Sequence, residues 1–148
     1  MAKPYLLWAI IGMVGYSFTA LFVKLATASG RFSSFLVLLL AGLIVFPTAA
    51  AITLHRGDLK TLAWSDFASK DALFALGTGI ALTVAVTSFF LALSLGPASV
   101  VVPIYGMFIV GGAVLGLVFL REPITARKVV GIALAVASIY LIASNPKL

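Results

Sequence analysis

Residues 95–125 read LGPASVVVPIYGMFIVGGAVLGLVFLREPIT. The segment is almost wholly apolar, yet it holds three prolines and five glycines, and it ends on Arg121 and Glu122, the latter being the chain's one acid outside a single loop. At ~1.5 Å of rise per residue a helix over residues 98–120 is long enough to cross ~30 Å of hydrocarbon. Glycine and proline, poor residues for a helix in water, are tolerated in a spanning helix whose neighbours pack against it. The stretch therefore reads as a helix made for lipid.

The rest of the chain agrees. Of its 148 residues 63% are hydrophobic and only 9% charged, whereas a soluble domain of this length needs far more polar surface. Scanning outward gives five apolar runs, residues 5–28, 33–54, 72–95, 98–120 and 126–144, each near the length of a transmembrane helix. The expected fold is an all-α membrane protein, one domain over residues 1–148 forming a bundle of five transmembrane helices. The first run could also be read as a cleaved signal peptide, with ATASG as the cleavage site, but its length and the spans that follow at once favour a retained helix. The long connection HRGDLKTLAWSDFASKD, residues 55–71, places Leu59, Leu62, Ala63 and Phe67 at helical spacing beside Trp64. It reads either as a short helix at the headgroups or as a polar loop. Gly96 and Pro97 leave almost no loop between the third and fourth spans, which predicts a tight hairpin.

Composition also limits function. With no cysteine, a lone His55 and four carboxylates (Asp58, Asp66, Asp71, Glu122) outside the apolar runs, neither a thiolate nor a metal cluster is expected, and no cofactor. No nucleophile, base and orienting group occur together, so an enzyme is not expected. The formal net charge is +6, but the basic residues stand as ones and twos between apolar runs, which argues against nucleic acid. They read as topology. Lys3, Arg56, Lys60, Lys70, Arg121, Arg127 and Lys128 fall on one side, and Lys24, Arg31 and Lys147 on the other. The positive-inside rule then puts the amino terminus in the cytoplasm and the carboxyl terminus outside.

Within the spans, Gly106, Gly112 and Gly116 in the fourth and Gly131 in the fifth suit close helix packing, Gly112 and Gly116 being spaced as GxxxG. Pro103 removes a backbone donor, so the Ser99 carbonyl loses its helical partner, which predicts a kink and a candidate hinge. Thr83 and Thr87 share a face with Gly79; they either bond back to their own helix or line a polar cavity. Ser17 and Lys24 share a face of the first span, where Lys24 either faces a cavity or snorkels to the outer headgroups. Tyr16 and Tyr105 are candidates for aromatic and hydroxyl contacts to a small organic molecule, or for packing. In REPIT, residues 121–125, Pro123 is expected to stop one helix and Thr125 to cap the next. Glu122 there is a headgroup ion-pair partner or a gate.

The stretch SLGPASVVVPIYGMFIVGGAVLGLVFLREPITARKVVGIALAVASIYLIAS resembles the carboxyl-terminal portion of an EamA domain of the drug/metabolite transporter superfamily, and WAIIGMVGYSFTALFVKLA is similar to that domain's opening helix. The REPIT turn with its flanks carries most of the likeness. The second span, FLVLLLAGLIVFP, lacks the arginine many members have there. The resemblance implies one half of an inverted-repeat transporter, in a plasma (inner) membrane, moving small metabolites or drugs by alternating access as a homodimer or with a homologous five-helix partner. Tyr16, Ser17, Lys24, Thr83, Thr87 and Tyr105 would then contact substrate. The competing reading is a non-transporting membrane subunit or assembly factor whose small-residue faces bind partner helices.

Overall fold

The computed structural model describes residues 4–121 and 123–144. Lys3, Glu122 and Lys147, which the sequence reading used, lie outside the described residues. Among the described residues the regular elements are all helical: α1 Pro4–Thr27, α2 Ser34–Arg56, α3 Lys70–Leu95, α4 Ala98–Tyr105, α5 Phe108–Phe119 and α6 Ala126–Ala143. They divide into two units, one comprising α1 to α3 and the other α4 to α6.

In the first unit the helix ends follow local chemistry. The Ser33 hydroxyl accepts from the Leu36 N–H at 3.2 Å and opens α2, satisfying one of the donors a helix start leaves without a partner. Gly57 closes the same helix in the left-handed region (φ 74°), its N–H reaching the Leu54 and Thr53 carbonyls, a backbone conformation that favours glycine. The 55–71 connection is not one helix. It forms two 3₁₀ turns, Asp58–Thr61 and Trp64–Ala68, with extended backbone at Leu62 and Ala63 between them. The Ala63 N–H donates to the Asp66 carboxylate at 2.9 Å, which holds the second turn, and Trp64 stands 91% exposed.

The core of this unit lies where the carboxyl-terminal halves of α1 and α3 meet. Ala20 and Val23 on α1 and Phe89, Phe90 and Leu93 on α3 are its buried apolar side chains. Tyr16, Ala20, Val23 and Thr27 recur at intervals of four, three and four, one face of a helix. Tyr16 extends that face toward Phe89, the two ring centroids lying 6.2 Å apart. The rest of the unit is open: along α2 the buried residue is Ser34, at its start. Apolar side chains that would be a liability in water have lipid as a solvent here.

The second unit begins as expected at Ala98 and then departs from a single helix. The backbone breaks at Gly106 and Met107, one turn after Pro103. There the Met107 N–H bonds Ile104 O at 3.1 Å, and Ile109 and Val110 bond Gly106 O and Met107 O at 3.0 Å. These are the i to i−3 bonds of a 3₁₀ turn. A Cβ on Gly106 would stand 3.1 Å from the Pro103 carbonyl oxygen. At its far end α5 stops before Pro123 is reached: Leu120 caps it and Arg121 turns into the left-handed region at φ 52°, an unusual conformation for a residue with a Cβ. Thr125 then opens α6, its hydroxyl accepting from the Lys128 N–H at 3.3 Å.

Among the described residues four stretches are long and apolar enough to cross a membrane: Tyr5–Thr27, Ser34–Arg56, Lys70–Leu95 and Ala98–Phe119. The expected fifth span, α6, has 18 residues, or ~27 Å, and begins with Arg127 and Lys128 in its first turn.

Candidate functional site

Lys24 is the charged side chain farthest inside an apolar helix, and the fold gives it a partner. Its Nζ donates to the Leu93 carbonyl at 3.0 Å. Within a continuing helix that carbonyl would accept from the N–H four residues on, but that residue is Pro97, which has none. A cation at the carboxyl end of α3 also opposes the helix dipole. Lys24 is half-buried beside the core of its unit. Its ammonium thus stands at the carboxyl end of α3.

The hydroxyls of the first unit divide differently. Ser17 Oγ donates to Met13 O at 3.0 Å, and Thr83 Oγ1 to Gly79 O at 2.8 Å, both on exposed surface. Each bonds back one turn on its own helix, and each oxygen keeps lone pairs to accept a bond from elsewhere. Thr87 is half-buried one turn beyond Thr83. The structure thus brings Tyr16 to Phe89 and Lys24 to Leu93, and leaves Ser17 and Thr83 on open faces.

In the second unit Tyr105 packs on Phe108 across the break, ring centroids 5.6 Å apart. Pro103 lies in α4, half-buried. Of the four glycines singled out for packing, Gly116 is buried, Gly106 is pressed against backbone, and Gly112 and Gly131 have open space where a Cβ would stand. The space beside Gly131 belongs to a groove of about 280 Å³ between α5 and α6, floored by side chains such as Val110, Ala113, Leu117 and Ala135, with Lys128 among its lining residues. Beside it, across Gly131, a second depression runs past Arg127.

The groove was missed in the sequence. Its signal was there, in the spacing of Lys128, Gly131 and Ala135 at i, i+3 and i+7, one face of α6, but only the packing of α5 against α6 shows that the face is left open. Among the described residues no group of three or more His, Cys, Asp or Glu is gathered to hold a metal ion.

The model of the EamA-like transporter family matches residues 3–144. A curated protein of a Sinorhizobium species, described as an uncharacterized transporter in the cobO 3' region, is 27% identical over 143 residues, which cover 97% of this chain and 99% of that one. No solved structure matches the chain.

Proposed function

The chain belongs to the EamA-like transporter family, and from that premise we propose that it carries small organic metabolites or drugs across a membrane by alternating access, as one half of a pair of five-helix units. The observation that carries this reading is the family match from end to end over helices that span but scarcely enclose. The buried core of the first unit is confined to one end of α1 and α3, and the faces bearing Ser17 and Thr83 are exposed. A polar pathway is completed when a second half covers such faces. The relative, itself described as an uncharacterized transporter, supports a transport role.

In this reading α6 is the fifth span. Its ~27 Å falls slightly short of the hydrocarbon, and the long stems of Arg127 and Lys128 reach the headgroups to make up the difference. The amino terminus is cytoplasmic, with the carboxyl terminus outside, in the inner membrane. The seven-to-three distribution of Lys and Arg set out above favours a single orientation, so the second half is a homologous partner of opposite sense. Tyr16, Ser17, Thr83, Thr87 and Tyr105 line the pathway, and the break at Gly106 and Met107 is the hinge.

Counterflow of a labelled panel of amino acids, organic acids, sugars and cationic drugs into proteoliposomes tests the function. Uptake above that of empty vesicles is expected with the partner present. No uptake of any of them, with the chain still assembled on its partner, would favour the non-transporting subunit. Reporters on both termini test the orientation, and two comparable populations would instead make two copies of this chain the pair.

A further inference from the structure

The connection between α2 and α3 carries large apolar side chains that the core does not use. Leu59, Leu62, Trp64 and Phe67 are all exposed, Trp64 by 91%. In a 3₁₀ turn residues three apart lie one above the other, so Trp64 and Phe67 emerge along one edge of the second turn, their ring centroids 6.0 Å apart. Leu59 and Leu62 are likewise three apart, across the first turn and its end. The backbone that sets this edge is held by local polar groups. The Asp66 carboxylate accepts from the Ala63 N–H at 2.9 Å, the Asp66 N–H donates to the Ala63 carbonyl at 3.0 Å, and the Ser69 hydroxyl accepts from the Ala72 N–H at 3.2 Å where α3 begins. Apolar rings displayed together on a held turn mark a surface of contact.

The place of the segment in the fold says which surface. The first turn stays against α2 and the second against α3, and both helices are long and apolar enough to cross a membrane. The connection is therefore continuous with the bilayer, at the level where two spans leave the hydrocarbon. Tryptophan gathers at that boundary because its ring is apolar and its N–H can bond water or a headgroup. The acids and bases of the stretch are matched, Arg56, Lys60 and Lys70 against Asp58, Asp66 and Asp71, with Arg56 standing 3.6 Å from Asp58. Net charge does not choose the surface.

We propose that Trp64 and Phe67, with Leu59 and Leu62, insert into the boundary between headgroups and acyl chains and anchor this end of α2 and α3, and that Asp66 is the positioning residue that keeps the two rings on one edge. Such an anchor settles depth. The two helices have 23 and 26 residues, or ~34 and ~39 Å, against ~30 Å of hydrocarbon, so length alone leaves them free to slide or tilt. An interfacial aromatic fixes where they sit. The anchor goes beyond the transport reading and requires only that α2 and α3 span, whether or not a substrate moves.

The chain has two tryptophans, Trp8 and Trp64, so in Trp8→Phe the tryptophan fluorescence comes from Trp64 alone. The full chain is reconstituted into phosphatidylcholine vesicles whose lipids carry bromine, a quencher, either near the headgroup or near the acyl terminus, and a parallel sample holds iodide on both faces of the membrane. Shallow bromine is expected to remove about half of the Trp64 emission and deep bromine only about a tenth, with the same outcome in phosphatidylglycerol. Asp66→Ala should lower the shallow quenching about twofold and admit iodide, since the turn loses the side-chain bond to Ala63. Quenching by iodide with no effect of bromine would leave Trp64 in water, and protection from both would mean that protein covers it. Either result overturns the anchor. Bromine quenching confined to phosphatidylglycerol would overturn its apolar basis, and quenching unchanged in Asp66→Ala would remove Asp66 from it. Should Trp8→Phe fail to fold, the difference between the wild-type chain and Trp64→Phe gives the same signal with Trp8 in place.

Discussion

The two units handle their intramembrane charge and small residues in opposite ways. In the first, the in-span cation is consumed internally: Lys24 satisfies the Leu93 carbonyl that Pro97 leaves without a donor, and the helices meet over a buried seam of Ala20, Val23, Phe89, Phe90 and Leu93. In the second, Arg127 and Lys128 border open grooves, and Gly112 and Gly131 have empty space beside them. Small residues in a membrane helix permit close approach but do not compel it. Whether a neighbour arrives is settled by what the facing helix presents.

If this contrast is right, its largest consequence falls on the seam. Leu93 is fully buried, and Leu93→Ala should cost about 2 kcal/mol, the low end for a core leucine, because lipid competes for the apolar surface and mainly the lost packing remains. Thermal unfolding in detergent measures it, and a change within error would mean that the seam does not hold the unit together. Lys24→Met keeps the length and removes the donor. It should cost about 1.5 kcal/mol, since a charged hydrogen bond is lost and the Leu93 carbonyl is left without a partner, discounted because the lysine is only half-buried. An unchanged melting temperature, with transport lost, would move Lys24 from scaffold to substrate contact.

Gly106→Ala sharpens the comparison within the second unit. Alanine ordinarily favours a helix over glycine by ~1 kcal/mol. Here the added Cβ meets the Pro103 carbonyl at 3.1 Å, so we expect a loss of about 1 kcal/mol instead, and a gain would show that the break straightens freely. The smallest effect is expected at Gly131→Ala, where space is open and alanine's helix preference is unopposed: a gain of about 0.5 kcal/mol in the isolated chain. A large loss there would mean that the groove is closed in the folded protein.

Much of the fold was legible in the residue order. The ends of α1, α2, α3 and α6 fall within two residues of the expected runs, because in lipid the length of an apolar run and the demand that its backbone bond to itself leave little else. Thr125 as a cap was equally readable, being a local matter of one hydroxyl and an N–H three residues on. The 55–71 connection was half legible: helical spacing was visible there, but apolar residues at that spacing do not distinguish one α-helix from two 3₁₀ turns. The break falls at Gly106 and Met107, one turn beyond Pro103, where the backbone passes to i to i−3 bonds. Of the candidate contacts, Thr83 bonds back to its own helix as one of its two readings anticipated.

The sequence by itself determined that this is a membrane-spanning helical chain, since hydropathy acts through the bilayer and needs no knowledge of which helix meets which. Only the tertiary structure decided which carbonyl Lys24 bonds and where an open groove lies. Both depend on pairs of residues far apart in the chain: a lysine in α1 reaches a carbonyl that a proline orphans 69 residues away, and a glycine in α6 borders a groove only because α5 packs beside it without filling the space. Such pairings are set by packing, where small differences in side-chain shape select the neighbour, and no periodicity within a single helix records them.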